Sequence, residues 1–240
     1  MKTMIILLVS VLPAILLWLY IWHKDPQKEP TPLLIKAVFY GIGVLWIAGG
    51  IESFIGYSFW DMNNSKYTLW DTTTMAFFVA AIPEEGLKLL ALWLIVRKNP
   101  YFDEHFDGIV YAVSVGLGFA TMENIGYVVG GGDNWTTVAI CRALLAVPGH
   151  YAFAILMGYY YSVYHFTSKS FSNGLMVILA PVLAHGVYDS FAMSSLVSPK
   201  VGAVGAILLI FFCIRMHKFA YKKILAQIEK DNNQDGNQII

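Results

Sequence analysis

The sequence has 240 residues, of which 57 % are apolar and only 13 % are charged, and its formal net charge is zero. Soluble domains carry about 25 % charged residues, so the composition excludes an ordinary soluble fold, which would have too little charge to cover its surface. The zero net charge provides no basic field for nucleic acid, and we expect no nucleic-acid partner.

Seven apolar segments of roughly bilayer-spanning length follow one another along the chain. They are residues 3–22, 32–51, 72–96, 107–130, 136–163, 173–193 and 200–217. Helices satisfy their own backbone groups in lipid, and the sequence lacks the ten-residue alternation of an outer-membrane barrel. The sequence therefore predicts an all-α polytopic membrane protein with about seven transmembrane helices in the lipid bilayer, residues 1–220 forming one transmembrane domain.

The distribution of lysine and arginine predicts the orientation. With the N-terminus outside, the inner loops and the tail hold eleven of these residues and the outer segments hold three. Because positive charge is retained on the cytoplasmic side, we expect an N-out, C-in topology. Residues 221–240 then form a cytoplasmic C-terminal tail, whose last ten residues are expected to be disordered. Cys141 and Cys213 fall on opposite sides of the membrane and are not expected to pair.

Four of the predicted spans contain polar side chains that are expensive in lipid. A charged group at the bilayer centre costs about 2.5–3.5 kcal/mol on insertion scales, so such groups usually face a protein interior or a water-filled cavity. Their positions along the predicted helices place them at a similar depth, and we interpret them as one site. They are Glu84, Glu85 and Lys88 in the third span, Glu123 and Asn124 in the fourth, Arg142 and His150 in the fifth, and His185 and Asp189 in the sixth.

The spacing of these residues predicts local pairs. Lys88 follows Glu84 by four residues and Glu85 by three, so its amine can neutralise either carboxylate. Asp189 follows His185 by four residues and can accept a hydrogen bond from one ring nitrogen, which fixes the tautomer of the other. Arg142 is placed to hold a substrate carbonyl or to pair with an acid of the site.

Prolines lie close to three of the site residues. Pro83, Pro148 and Pro181 precede Glu84, His150 and His185 by one, two and four residues. Each proline removes a helix hydrogen bond and frees a carbonyl group. Free backbone groups at membrane depth are tolerated where they line a cavity, so the sequence predicts a wet pocket ringed by three kinked helices.

Other polar residues have structural interpretations. Glu52 and Asp71 are expected to be solvated helix ends, and the inner loop residues 103–107 are expected to cap the fourth span. A ridge of small residues in that span is typical of close helix packing. The ridge consists of Gly108, Ala112, Gly116 and Ala120.

Carboxylates and histidines around buried water indicate hydrolysis, for which two arrangements are open. In the first, zinc or another divalent metal binds His150, His185 and one carboxylate, Glu123 being the tentative third ligand, and another glutamate acts as base. In the second, Glu84 or Glu85 activates water without a metal while a histidine stabilises the oxyanion. No serine or cysteine is a clear nucleophile.

These motifs together resemble the PrsW family of intramembrane proteases. The resemblance covers about residues 1–215 and is carried by PEEGLKL (83–89), FDEHFDGIVYAVSVGLGFATMENIGYV (102–128), RALLAVPGHYAFAILMGYYY (142–161) and LAHGVYDS (183–190). The family is distantly similar to prenyl-protein (CAAX) endopeptidases and bacteriocin-processing membrane enzymes.

The resemblance implies peptide-bond hydrolysis in the bacterial cytoplasmic membrane. It implies the first cut, on the extracytoplasmic side, in a single-pass substrate such as a membrane-anchored anti-sigma factor. Glu84 and Glu85 would be the catalytic pair, completed by Glu123, His150 and His185. The resemblance leaves open whether a metal takes part.

Two other classes of protein are compatible with buried ionisable residues. A proton-coupled transporter or channel also uses buried Glu, Lys and His, but it predicts inverted repeats, which the sequence does not show. The second class is a non-catalytic membrane chaperone for the same clients.

Overall fold

The protein is a helical bundle. The computed structural model describes residues 2–59 and 66–238, and no strand occurs in these two ranges. The α-helices are α1 (Lys2–Lys24), α2 (Thr31–Phe59), α3 (Leu69–Thr74), α4 (Ile82–Val96), α5 (Asp107–Gly130), α6 (Trp135–Cys141), α7 (Val147–Ser162), α8 (Phe171–Ala192) and α9 (Pro199–Gln238). Both cysteines are free, as predicted.

Six helical segments of the described chain are long and apolar enough to cross a membrane. They are Thr3–Lys24, Thr31–Phe59, Asp107–Gly130, Gly132–Thr167, Phe171–Leu196 and Pro199–Asn233. The prediction of an all-α polytopic membrane protein is therefore confirmed. The remaining predicted span, residues 72–96, lies in the helical stretch from Leu69 to Val96. Three charged residues, Glu84, Glu85 and Lys88, lie close together in it, and it is not among the candidate spans. A seventh crossing and the N-out orientation stay predictions.

Two prolines stand where the helix type changes. Pro83 is the second residue of α4 and follows a π-helical segment, Met75–Ala81. Pro148 is the second residue of α7 and follows another, Arg142–Ala146. Proline cannot donate a helix hydrogen bond, and π-helical turns are frequent at functional sites. The expected irregularity is present at these two positions, whereas α8 continues as an α-helix through Pro181.

Helix α5 forms the centre of the bundle, and small residues let its neighbours approach. A Cβ added at Gly116 would lie 2.8 Å from the Cβ of Ala154 on α7, and one added at Gly108 would overlap Ser162. On another face, a Cβ at Gly118 would overlap the Val38 carbonyl of α2. The small-residue ridge predicted for close packing therefore lies against α7.

Helix α9 holds the loop that leads into α5. The backbone N–H groups of His105 and Phe106 donate to the carboxylate of Asp231 over 2.8 and 2.9 Å. Asp231 is only 3 % exposed. Helix α9 continues to Gln238, so the expectation that the last ten residues are disordered is wrong for residues 231–238.

The expectation that residues 103–107 cap α5 is also wrong. The residue that precedes the helix, Phe106, makes no side-chain capping bond. Asp107 instead accepts from the N–H groups of Asp103 and Glu104, within the loop.

A matched pair of glycines in α2 tests the packing against α5. A Cβ at Gly41 would overlap the Val115 carbonyl, whereas a Cβ at Gly43 meets nothing within 4 Å. We expect Gly41→Ala to lower the free energy of unfolding by about 1–3 kcal/mol, because the backbones must separate. Gly43→Ala should leave it unchanged or raise it by about 0.5–1 kcal/mol. Unfolding in a denaturing-detergent titration measures both; equal stability of the two variants would contradict this packing.

Candidate active site

Two adjacent carboxylates and an amine lie at the start of α4. Lys88 Nζ is 2.9 Å from Glu84 Oε2 and 2.8 Å from Glu85 Oε1, and all three residues are buried. The ammonium group also lies 3.8 Å from the centre of the Phe119 ring, on α5. Removing charges from water is costly unless they are paired, and Lys88 pairs with both carboxylates, as the spacing predicted.

His150 of α7 and His185 of α8 face this cluster with one ring nitrogen each. His185 Nδ1 lies 3.0 Å from Glu85 Oε1, and His150 Nδ1 lies 3.5 Å from Lys88 Nζ. The two imidazole rings are 5.3 Å apart between centroids. Phe153 stacks on His185 at 4.8 Å, which fixes the plane of that ring.

The other ring nitrogens face a second set of carboxylates. His150 Nε2 lies 2.9 Å from Glu123 Oε2, and His185 Nε2 lies 3.2 Å from Asp189 Oδ2. Both histidines therefore present Nδ1 to the centre of the site and Nε2 to an outer carboxylate. Outer carboxylates of this kind fix the tautomer and orientation of metal-binding histidines.

Arg142 anchors Glu123. Its Nη2 donates to Glu123 Oε2 over 2.6 Å, and its Nε donates to Asn124 Oδ1 over 2.9 Å. Asn124 is fully buried and donates in turn to the Ser10 carbonyl of α1. The guanidinium also lies 4.0 Å from the centre of the Tyr127 ring. All four supporting residues predicted from the sequence therefore belong to this network. Lys88, Arg142 and Asp189 contact a histidine or a carboxylate of the site, and Asn124 holds Arg142.

The cluster borders a polar cavity of about 620 Å³. We call it the polar cavity because its lining contains seven ionisable side chains, those of Glu52, Glu84, Glu123, Arg142, His150, His185 and Asp189. A second, largely apolar cavity of about 770 Å³ shares Glu52, Glu84, Glu123 and Tyr127 with the first. We call this second cavity the apolar groove; its lining includes Trp46 of α2, Phe119 of α5 and Val138 of α6. The predicted pocket is present, and it adjoins a surface suited to an apolar chain.

Sequence reasoning misplaced Glu52. It was expected to be a solvated end of α2, but it is half-buried and lines both cavities together with Glu84 and Glu123. The available signal was the largely apolar stretch after it, FIGYSF (54–59), over which the helix continues to Phe59. Asp71, by contrast, caps the start of α3 in a reciprocal pair with Thr68, as expected for a helix end.

Comparison with known proteins assigns the family. The sequence model described as PrsW family intramembrane metalloprotease matches residues 29–216. The protein called Protease PrsW from Clostridioides difficile is 34 % identical over 195 residues, 78 % of each chain. The Oceanobacillus iheyensis protein of that name is 35 % identical over 77 % of this chain and 81 % of its own, and the Bacillus subtilis protein is 34 % identical over 75 % and 79 %. The chain belongs to the PrsW family. It is thus a multi-pass bacterial membrane protein and an intramembrane protease, and no solved structure matches it.

The metalloprotease description of the PrsW family agrees with the side chains at the centre of the site. Glu84, Glu85, His150 and His185 each offer one ligand atom, and these atoms all lie within 4.8 Å of one another. Glu85 Oε2 is buried without a hydrogen-bond partner among the described residues, so this oxygen is available to a ligand. Two imidazoles and a carboxylate are a usual zinc ligand set. The residues therefore fit a divalent metal.

Glu123 lies next to this group of four rather than within it. Its Oε2 contacts the outer nitrogen of His150 and the guanidinium of Arg142. Glu84 and Glu85 are the carboxylates that share the centre with the two histidines. Direct metal binding by Glu123 stays a prediction.

Arg142→Lys tests the anchoring of Glu123. An ammonium group cannot hold Glu123 and Asn124 with two directed bonds as the guanidinium does. We expect proteolysis to fall by about 10–100-fold, the usual loss when groups that orient metal-binding histidines are changed. The measurement is the initial cleavage rate in proteoliposomes.

Arg97→Lys is the matched control, because Arg97 lies in the loop after α4, away from the site. An Arg142→Lys variant as active as Arg97→Lys would show that this anchoring has no part in the reaction.

Proposed function

We propose that the protein hydrolyses a peptide bond of a single-pass membrane protein at this site. The observation that carries the proposal is the position of Glu84, whose side chain lines both the polar cavity and the apolar groove. A carboxylate able to activate water thus borders a groove suited to an apolar polypeptide segment. Both cavities also border Glu123, so a chain lying in the groove would pass along the polar cluster.

The two adjacent glutamates have different surroundings, and we assign them different roles. Glu85 is 1 % exposed, lines neither cavity, and contacts His185 and Lys88. We assign Glu85, His150 and His185 as the residues that would hold the metal. Glu84 faces the cavities, and we assign it as the general base.

The reaction consumes one water molecule. Glu84 accepts a proton from water as the water oxygen bonds to the scissile carbonyl carbon. The carbon–nitrogen bond then breaks, and the departing amine takes the proton from Glu84. When bound, a divalent metal would supply Lewis acidity that polarises the carbonyl group. Lys88 keeps a positive charge beside Glu84 throughout.

The substrate that we propose is a membrane-anchored anti-sigma factor, cut first by this enzyme on or near the outer side of the membrane. Support comes from the motif resemblance and from the lysine and arginine distribution, which predicts an N-terminus outside the membrane. Cleavage would start a cascade that releases a sigma factor in a stress response. A transporter or a chaperone is less well supported, because neither requires two carboxylates and two oriented histidines beside an apolar groove.

Four variants test the site. We expect Glu84→Gln, Glu85→Gln, His150→Ala and His185→Ala each to abolish cleavage of a reconstituted single-pass substrate while the protein stays folded and extractable. Each change removes a proton acceptor or a proposed ligand. Asp133→Asn, in the short helix between α5 and α6, is the matched control. Full activity in two of the four variants would overturn the assignment, and proton flux without cleavage in the native protein would favour a transporter.

Metal removal separates the two glutamates. A chelator should abolish cleavage, and zinc should restore it, because the site would lose and regain its metal. Elemental analysis should find metal retained in Glu84→Gln but reduced in Glu85→Gln, since only Glu85 is assigned as a ligand. Indifference of the native enzyme to chelation would favour the metal-free arrangement, and equal metal content in both variants would contradict the division of roles.

A further inference from the structure

A second cluster of acidic residues lies at the opposite end of α5. One carboxylate oxygen each from Asp25, Glu104 and Asp107 lies within 4.8 Å of the others. Asp25 directly follows α1, Glu104 belongs to the loop between α4 and α5, and Asp107 begins α5. Asp107 is sixteen residues before Glu123, or roughly 24 Å along the helix. The cluster is therefore separate from the active site.

Two of these carboxylates are buried with an unused oxygen. Asp25 is 2 % exposed and Asp107 is fully buried. Asp25 Oδ2 accepts from the N–H of Glu29 over 3.3 Å, and Asp107 Oδ2 accepts from two loop N–H groups. In the part of the chain that the structure describes, no N–H or O–H group donates to Oδ1 of Asp25 or Oδ1 of Asp107, and the neighbour of Asp107 is a further buried carboxyl group, that of Glu29. A buried acceptor without a partner destabilises the folded state, and a bound cation would remove this cost at each oxygen.

Asp25 and Asp107 form no ion pair with a lysine or arginine of the described residues. The nearby Lys28 instead donates to the carbonyl oxygens of Trp22, His23 and Asp25, at the end of α1.

We propose that Asp25, Glu104 and Asp107 bind a hard divalent cation, Mg²⁺ or Ca²⁺. These ions prefer carboxylate and carbonyl oxygens, and Ca²⁺ takes oxygen ligands at about 2.3–2.6 Å, so opposite ligands around it lie up to about 5 Å apart. The separations within the cluster are compatible with that geometry. The absence of nitrogen or sulfur ligands among these three side chains disfavours zinc.

The cation would join segments that are far apart in sequence. Asp25 belongs to the connection between α1 and α2, whereas Glu104 and Asp107 belong to the loop and first turn of α5. Asp231 of α9 already binds the same loop at His105 and Phe106. The cation would thus fasten the ends of α1, α5 and α9 together, and its removal would loosen this end of the bundle.

Thermal unfolding of the full-length protein tests the proposal. Protein stripped with EDTA and returned to chelator-free buffer at pH 7.5 is titrated separately with MgCl₂ and CaCl₂. Binding to the folded state alone should raise Tm by about 3–8 °C with at least one of the two ions. The double variant Asp25→Asn/Asp107→Asn should lose this rise, although asparagine keeps an oxygen for the backbone N–H groups. Asp103→Asn, which removes one charge from an exposed residue of the same loop, is the control and should keep the rise.

The same titration in a His185→Ala background separates this site from the active site. The rise in Tm should persist there, because the acidic cluster does not include His185. Electron paramagnetic resonance of added Mn²⁺ in that background should detect about one bound ion per chain that Mg²⁺ or Ca²⁺ displaces. Absence of a Tm rise with both ions in the native protein would overturn the proposal, and an equal rise in the double variant would show that the ion binds elsewhere. Absence of bound Mn²⁺ would overturn the proposal even where the double variant fails to fold.

Discussion

The structure depends on keeping ionised groups inside an apolar bundle, and the contact that does so is the ammonium of Lys88 between Glu84 and Glu85. Without Lys88, each ionised carboxylate would be a buried charge without a compensating partner on its own helix, which costs several kcal/mol. Because the three residues share one face at the start of a single helix, the cluster forms locally. Side chains of α5, α7 and α8 contact this cluster, and together they form the site.

The histidines extend this charge pairing outward in two layers. The His150 ring lies between Lys88 on the inside and Glu123 on the outside. The His185 ring lies between Glu85 on the inside and Asp189 on the outside. These contacts hold both rings in fixed orientations. Groups whose orientation is fixed by their neighbours do not have to reorganise during a reaction. The π-helical turns before Pro83 and Pro148 lie at the same two helices, where the backbone departs from regular geometry beside the reacting groups.

The buried carboxylates at the two ends of α5 have different kinds of partner. At the active-site end, carboxylates are matched by Lys88, Arg142 and two histidines. At the other end, Asp25 and Asp107 accept from backbone N–H groups on one oxygen, and no donor of the described chain reaches the other oxygen. The contrast is the physical basis for assigning a catalytic cluster at one end and a cation clamp at the other, and it places both on the same central helix.

The sequence by itself determined the helical class, the membrane environment and the set of polar residues that meet. Those results follow from local rules: apolar length, the i,i+3 and i,i+4 spacing of Lys88, and the cost of charge in lipid. Tertiary structure alone decided the contacts between helices. Glu52 faces the site because α2 packs on α5, and Asp231 caps a loop more than a hundred residues earlier because α9 returns to it. The different surroundings of Glu84 and Glu85 were also invisible in sequence, since two neighbouring residues point about 100° apart on a helix and only the packed neighbours decide which one meets the cavity.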